Sequence, residues 1–194
     1  IKQLVDKLAI KLRAIIEGLI SAIELNYKMI GAKVAGRKTF VLRIGAASQL
    51  MHVESVLEIL LTRPITSQIS FFVLIPADEV DAVLTHLERL PARITSGSVR
   101  AERLLVACDF MLSVDQGAKF PWVGCKIRAC SFHGQPSKGN VYQRFNYRQI
   151  NTLFLYGPLM RNYYLRTKAD HPEWPDIQLL EVGQPTTDRL VNQP

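Results

Sequence analysis

Residues 131–140, with the sequence SFHGQPSKGN, contain the side chains of this 194-residue chain that are best suited to chemistry. An apolar run typical of a strand precedes them, so we expect His133 at the carboxyl end of that strand. An imidazole titrates near neutral pH and can serve there as a general base. Lys138 and the backbone amides beside Gly139 suit a bound phosphate group. The alternative is a structural histidine, but residues 116–169 hold nine basic and no acidic residues, which favours a functional one.

Two further candidate sites follow other predicted strands. Residues 45–52, GAASQLMH, come directly after the first strand. The small Gly45 lets a substrate approach the backbone there, and the amino terminus of the next helix favours an anion. Asp115 ends the run DFMLSVD and Asp109 begins it, so only Asp115 is expected at the functional end of that strand. His52 is explained at least as well by packing or solvent exposure as by ligand binding.

The rest of the chain alternates between strand and helix patterns. Dense apolar runs predict the strands, and apolar residues at three- and four-residue spacing predict the helices. This alternation predicts an α/β, Rossmann-like fold with a mainly parallel, doubly wound sheet, whose ligands bind beyond the carboxyl ends of the strands. The predicted strands are 39–45, 69–75, 93–95, 110–114, 127–132, 152–156 and 177–182, and the predicted helices are 48–61, 78–90, 99–108 and 158–168.

A long amphipathic helix is predicted before the sheet, over residues 1–30, because leucine, isoleucine and valine recur on one face. Two glycines and three basic residues predict a linker over residues 31–38, which leaves residues 39–194 for the Rossmann-like domain. Three roles for the helix stay open: packing on the sheet, a homo-oligomeric interface, and peripheral contact with an anionic membrane surface.

The formal net charge of +7 is unevenly distributed and indicates anionic partners at particular places. Residues 1–43 hold nine basic and three acidic residues, whereas residues 44–115 hold five and nine. Aromatic residues are interleaved with the basic ones after residue 116, but no nucleic-acid-binding motif accompanies them, so we expect no nucleic-acid partner. Three cysteines without a CxxC spacing indicate reduced thiols in a cytoplasmic protein, and we expect neither a metal nor a cofactor.

Several short motifs resemble, in the same order, those of the CDP-glycerol glycerophosphotransferases, the family of teichoic-acid polymerases and primases. Residues 132–139, FHGQPSKG, are similar to the family's WHGTPLK-type motif. Residues 109–116, DFMLSVDQ, look like the strand before that motif, and residues 155–158, LYGP, look like a later strand end. Residues 182–190, VGQPTTDRL, resemble the family's GxPRxD-L segment. The resemblance covers roughly residues 105–191, and the preceding part has a general similarity to GT-B glycosyltransferases.

The resemblance implies that His133 is the catalytic base that activates an acceptor hydroxyl. Gly134, Pro136 and Lys138 match the family motif. The histidine of the motif is retained, but four other positions depart from the family pattern: Phe132 stands for Trp, Gln135 for Thr, Ser137 for Leu and Thr186 for Arg. With the residues expected at strand ends, the candidate substrate-binding set is Gly134, Gln135, Pro136, Lys138, Gly139, Asp115 and Gly45.

The resemblance also implies one half of a two-domain GT-B enzyme. The GxPRxD-L segment lies near the crossing to a second domain, which binds the nucleotide of a CDP-linked donor, and the chain stops at Pro194. We therefore expect an acceptor-side domain, inactive alone, of a transferase in cell-wall or capsule synthesis. It would move glycerol phosphate, or a similar polyol phosphate, to a polymer or lipid-linked acceptor in the cytoplasm, at the inner face of the membrane if the helix binds lipid. Two alternatives stay open: a GT-B sugar transferase or nucleotide-sugar epimerase domain, and a non-catalytic binding domain.

Overall fold

A parallel sheet forms the centre of the molecule in the computed structural model, which describes residues 2–53, 57, 67–88, 94–114, 120–121, 124–131 and 149–183. The strands in this part of the chain are β1 (Lys38–Arg43), β2 (Ile69–Ile75), β3 (Thr95–Ser98), β4 (Phe110–Val114), β5 (Ile127–Ser131), β6 (Thr152–Leu155) and β7 (Gln178–Glu181). Their order is β3-β2-β1-β4-β5-β6-β7, and every neighbouring pair is parallel. The α/β fold with a parallel sheet is therefore confirmed.

Two hydrophobic cores lie on opposite faces of the sheet. Helices α1 (Lys2–Val34) and α3 (Pro158–Ala169) contribute to one core, in which Leu25 and Tyr164 pack with strand residues such as Met111. Helix α2 (Val80–Leu87) contributes Val83 and Leu87 to the other core. Parallel strands need crossover connections, and these connections cover both faces. The sheet is thus doubly wound and Rossmann-like, as the alternation of patterns predicted.

The central strands are buried because their sequences are apolar on both faces. The last five residues of β2, FFVLI, are all buried, and so are the last four of β4, MLSV. The observed bounds of these two strands equal the predicted ones. The other strands shift by one to three residues at an end, and β1 ends at Arg43, two residues before Gly45.

The carboxyl-terminal half of α1 packs on the sheet through five buried residues at three- and four-residue spacing. We call this set the seam: Gly18, Ala22, Leu25, Met29 and Ala32. The Ser21 hydroxyl accepts a hydrogen bond of 2.9 Å from the Ser98 amide, at the carboxyl end of β3. Near its other end, α1 places the Lys33 ammonium 3.1 Å from the Asp109 carboxylate, just before the amino end of β4. The helix therefore runs antiparallel to the strands.

The amino-terminal half of α1 extends past the carboxyl edge of the sheet. None of residues 2–13 is buried. At 1.5 Å per residue, the segment from Lys2 to Ile16 is about 22 Å long. The projecting half consequently stands on the same side of the molecule as the carboxyl ends of the strands.

Helix α1 ends four residues after the predicted end at residue 30. The Gly36 amide donates to the Lys33 carbonyl and the Arg37 amide to the Ala32 carbonyl, both at 2.9 Å, and Gly36 has a φ of 73°. This is a glycine-terminated Schellman cap. Gly31 did not end the helix, because the next residue, Ala32, continues the packed seam on the sheet. Residues 31–34 of the predicted linker are thus helical, and β1 begins at Lys38.

The predicted helix over residues 99–108 is present but shorter: Val99–Leu104 is a 3-10 helix, and Leu105 is extended. The Asn26 side chain explains the early end. Its amide nitrogen donates to the Leu104 carbonyl, and its oxygen accepts from the Val106 amide, both at 2.8 Å. The Asn26 side chain therefore forms hydrogen bonds with the carbonyl and amide groups that a longer helix would have paired within itself.

The connection after β1 also begins as a 3-10 helix, Ala47–His52, in the range where the periodicity predicted a helix over residues 48–61. Residues 54–56 and 58–61 lie outside the described part of the chain. Helix α2 is shorter than the predicted range of 78–90, and its predicted last two residues also lie outside the described ones.

The seam of α1 yields a stability prediction. Leu25 is 1% exposed, whereas Leu12 on the same helix is 59% exposed. Leu25→Ala should lower the free energy of unfolding by about 3 kcal/mol, because it removes a fully buried side chain and leaves a cavity. Leu12→Ala should change it by less than about 0.5 kcal/mol. Urea unfolding followed by circular dichroism measures both, and equal effects of the two substitutions would contradict the packing.

Candidate functional site

Three of the predicted site segments follow adjacent strands. Because all strands are parallel, their carboxyl ends share one edge of the sheet. The strand order places β1 beside β4, and β4 beside β5; Arg43 is in register with Ser113, and Val114 with Ser131. Gly45 follows β1, Asp115 follows β4, and the segment that contains His133 follows β5. Segments far apart in the sequence thus leave the sheet from neighbouring positions.

This edge contains the topological switch point of the sheet. From β1 the chain proceeds to β2 and β3 on one side, and it returns to β4 on the other side of β1. The two connections diverge there, and open α/β sheets bind ligands in the resulting crevice. The carboxyl edge between β1 and β5 is therefore the candidate functional site.

Most of the predicted site residues lie outside the described part of the chain: Asp115, His133, Gly134, Gln135, Pro136, Lys138 and Gly139. For them the structure gives the strand ends Val114 and Ser131, from which their segments depart. Both of these residues are buried. The roles assigned to the seven residues stay predictions.

Gly45 is described, and side chains hold its loop in place. The Gly45 amide donates a 2.6 Å hydrogen bond to the Gln49 side-chain oxygen. The Ala47 amide donates at 3.0 Å to a carboxylate oxygen of Glu79, the residue before α2. Both amides therefore already have acceptors, one of them anionic. Gly45 provides a small residue for close approach, and an anion at this loop would compete with Glu79.

A buried ion pair lies beneath the Gly45 loop and was missed by the sequence analysis. The Arg43 Nε lies 3.6 Å from the Glu102 Oε2, and these side chains are only 14% and 9% exposed. A Cβ added to Gly45 would lie 3.0 Å from an Arg43 guanidinium nitrogen, so a larger residue would crowd it. One feature of the sequence indicated a buried charge here, namely the arginine in the otherwise apolar run TFVLRIG. Its partner could not be inferred, because Glu102 lies 59 positions away.

A cavity of about 670 Å³ opens beside this ion pair, between α1 and the Val99–Leu104 helix. Arg43, Arg100 and Arg103 line it together with Glu102, and small and apolar residues of α1 also line it: Ala14, Ile15, Gly18 and Leu19. The volume falls in the range of small-molecule sites. The three guanidinium groups outnumber the two carboxylates beside them, Glu102 and Glu17, which leaves a positive excess that favours an anionic occupant. The Glu17 carboxylate already binds Arg100, at 2.6 Å.

The opposite, amino edge of the sheet is held by a polar cluster around Asp109. The Asp109 carboxylate accepts hydrogen bonds from the Thr39 amide at 3.0 Å and the Thr39 hydroxyl at 3.1 Å, and it pairs with Lys33 at 3.1 Å. Burial opposes ionisation, but the Thr39 and Lys33 donors outweigh it and lower the pKa of Asp109 below its usual value. The prediction that Asp109 lies away from the functional edge is confirmed, and its role is structural.

The same edge holds two of the three cysteines, and none of the three forms a disulfide. The Cys108 and Cys125 sulfurs lie 3.7 Å apart. The hydrogen bond between them lowers the pKa of Cys125 and, together with burial, raises that of Cys108. Cys130 is buried in the core next to α3.

Among the described residues, no three His, Cys, Asp or Glu side chains form a group that could hold a metal ion. Nor does that part of the chain contain a helix with the length and hydropathy needed to cross a bilayer.

The chain matches no protein-family model, no curated protein and no solved structure. The resemblance to glycerophosphotransferases therefore stays a prediction that rests on the motifs themselves.

The ion pair beneath the loop can be tested by a double-mutant cycle. Arg43→Met should lower the free energy of unfolding by about 3 kcal/mol, because it takes the positive charge from a buried carboxylate. Arg43→Met combined with Glu102→Gln should cost less than the two single substitutions together, since neither charge remains. Urea unfolding of the four proteins gives the coupling energy. Strict additivity would show that the two side chains do not interact.

The lowered pKa of Asp109 predicts that the stability of the fold depends on pH. Its pKa is lower in the folded chain than the unfolded value of about 3.9, so the carboxylate stabilises the fold at neutral pH. That contribution should disappear as the pH falls through the folded-state pKa. Asp109→Asn should therefore be destabilised relative to wild type at pH 7, and the difference should shrink in acid. Urea unfolding over a pH series measures this, with the exposed Asp78→Asn as control; a constant difference would contradict the assignment.

Proposed function

We propose that this chain is the acceptor-side domain of a transferase that moves glycerol phosphate, or a similar polyol phosphate, from a CDP-linked donor to an acceptor hydroxyl. The observation that carries the proposal is the adjacency of β1, β4 and β5, which brings the departure points of the Gly45, Asp115 and His133 segments together. The three segments were assigned from the sequence without knowledge of the strand order, so their adjacency supports a common site.

In the proposed reaction, His133 removes the proton from the acceptor hydroxyl. The acceptor oxygen then attacks the phosphorus that carries the glycerol. The new oxygen–phosphorus bond forms as the bond to the bridging oxygen breaks, and CMP leaves with the electron pair of that bond. The proton stays on the imidazole until solvent takes it, so atoms and charge balance. General-base catalysis of this kind contributes about 100-fold or more in rate.

Electrostatics at the carboxyl edge supports an anionic substrate. Lys138 belongs to the motif, and its phosphate contact would persist throughout the transfer. The arginines that line the neighbouring cavity add positive charge on the α1 side of the edge. A phosphate-bearing polymer or a lipid-linked phosphate acceptor has the complementary charge.

The experiment uses the polypeptide that contains this chain, expressed at its full natural length. CDP-glycerol and a mixed pool of polymer and lipid-linked acceptors are supplied, and CMP release is measured. His133→Ala should lower the rate at least about 100-fold, because it removes the proposed general base. The matched control is His86→Ala, which removes an exposed histidine from α2 and should leave the rate within about twofold of wild type.

The other outcomes separate the rival functions. Turnover of CDP-glycerol that is equal in wild type and His133→Ala would show that the histidine is structural. Turnover of a UDP-sugar but not of CDP-glycerol would identify a sugar transferase or an epimerase. Binding of an anionic polymer without turnover of any nucleotide donor would identify a binding domain.

A further inference from the structure

Helix α1 has a second apolar face, which is largely exposed. Nine large apolar residues recur along it at spacings of three, four and four, and each is at least 46% exposed. We call this set the exposed stripe: Val5, Leu8, Leu12, Ile16, Leu19, Ile23, Tyr27, Ile30 and Val34. At 3.6 residues per turn it is centred about 130° around the helix from the seam that packs on the sheet. Packing on the sheet therefore explains the seam but not the stripe.

The stripe is too long and too continuous for an ordinary solvent-facing helix surface. It runs the length of α1, about 50 Å at 1.5 Å per residue. Scattered exposed leucines need no explanation, but a contiguous apolar patch of this size marks an interaction surface. The eleven-residue recurrence keeps the stripe nearly straight on the helix, because 3.67 residues per turn is close to the natural period. A straight stripe fits a flat surface or another straight helix.

The charges on α1 argue against a second copy as the occupant. Residues 2–13 hold four basic residues and one acidic, residues 14–26 hold two acidic and no basic, and residues 27–38 hold four basic and no acidic. In a parallel pair of α1 helices, each cationic end would lie against the same end of the other copy. In an antiparallel pair, it would lie against the opposite end, which is also cationic. Both arrangements bring like charges together. A stagger by a third of the helix would relieve the repulsion but leave a third of each stripe uncovered.

The same charges favour an anionic surface. Lys2, Lys7 and Lys11 occupy the first three turns of α1, and no acidic residue lies in the first turn, although a helix amino terminus disfavours cations. An external array of negative charge offsets that cost. Glu17, in the middle of the helix, is already neutralised by Arg13 at 3.1 Å and Arg100 at 2.6 Å. Lysine side chains can also reach past the apolar stripe to a layer of anionic headgroups.

We propose that the exposed stripe binds the surface of an anionic lipid bilayer, with α1 lying parallel to that surface. The seam that packs on the sheet lies about 130° away around the helix, so the stripe is directed away from the sheet. The projecting half of α1 leaves the domain at the carboxyl edge, and binding holds that edge next to the headgroups. The inference rests on exposure and charge in α1 alone, and it does not depend on the proposed transferase reaction.

Vesicle flotation of the full-length polypeptide tests the proposal. The probes are vesicles of phosphatidylcholine alone and vesicles that contain about one third phosphatidylglycerol. Wild type should float with the anionic vesicles and bind the neutral ones at least about tenfold more weakly. Lys11→Gln should weaken binding to the anionic vesicles about fivefold. The exposed Arg166→Gln on α3, which removes the same charge from another helix, should not.

Two isoleucines provide a matched test of the stripe. Ile23 lies within it and Ile10 outside it, on the same helix and with exposures of 69% and 68%. Ile23→Gln should weaken vesicle binding about tenfold, because it removes an apolar side chain from the lipid contact. Ile10→Gln should change it less than twofold. Both positions are exposed, so circular dichroism and the urea midpoint should stay at wild-type values and show that each variant folds.

Sedimentation velocity without lipid distinguishes the other occupants. The expected mass is the same for wild type and Ile23→Gln. An oligomer that Ile23→Gln dissociates, together with no flotation, would overturn the proposal in favour of a second copy. No flotation and no self-association would overturn it in favour of another protein, and equal flotation of the Ile23 and Ile10 variants would show that the stripe is not the contact.

Discussion

The parallel pairing of β1 with β4 is the interaction on which the rest of the structure depends. It joins the two halves of the sheet, and it requires the chain to return from β3 across the whole of β2 and β1. The return crosses on the α1 side, through the Val99–Leu104 helix, while α2 covers the other face. The crevice at the carboxyl edge follows from this pairing, because the connections of β1 and β4 leave in opposite directions.

The two edges of the sheet differ in physical character. At the amino edge, Asp109 is fully engaged by Thr39 and Lys33, so that edge ties α1, β1 and β4 together. At the carboxyl edge, arginines line an open cavity, and Glu79 and Gln49 hold the Gly45 loop. Polar contacts therefore hold both edges: the Asp109 cluster at one, and the Arg43–Glu102 pair with the Gly45 loop at the other.

Helix α1 couples the fold to its surroundings. Its seam is made of small and apolar residues, and Gly97 admits the Leu25 side chain so closely that a Cβ at that position would lie 2.5 Å from a Leu25 methyl. The Asn26 side chain ends the neighbouring 3-10 helix, because it hydrogen-bonds to the Leu104 carbonyl and to the Val106 amide. The opposite side of the helix retains a continuous apolar stripe. The two faces lie about 130° apart around the helix axis, so packing on the sheet leaves the stripe exposed.

The sequence by itself determined the α/β class, the parallel sheet and most strand positions, because dense apolar runs such as ISFFVLI have one stable environment, the buried strand. It also indicated Gly45, Asp115 and His133 as residues at strand ends. Only the tertiary structure decided that β1, β4 and β5 are neighbours, because strand order depends on long-range pairing that leaves no local signal. The Arg43–Glu102 pair and the effect of Asn26 on the 99–104 helix depend on the same long-range contacts. Helix periodicity predicted one apolar face of α1, rich in leucine and isoleucine, and that face is exposed in the structure. The face that packs on the sheet consists mainly of small residues, with Leu25 and Met29, so only the position of the sheet identifies it.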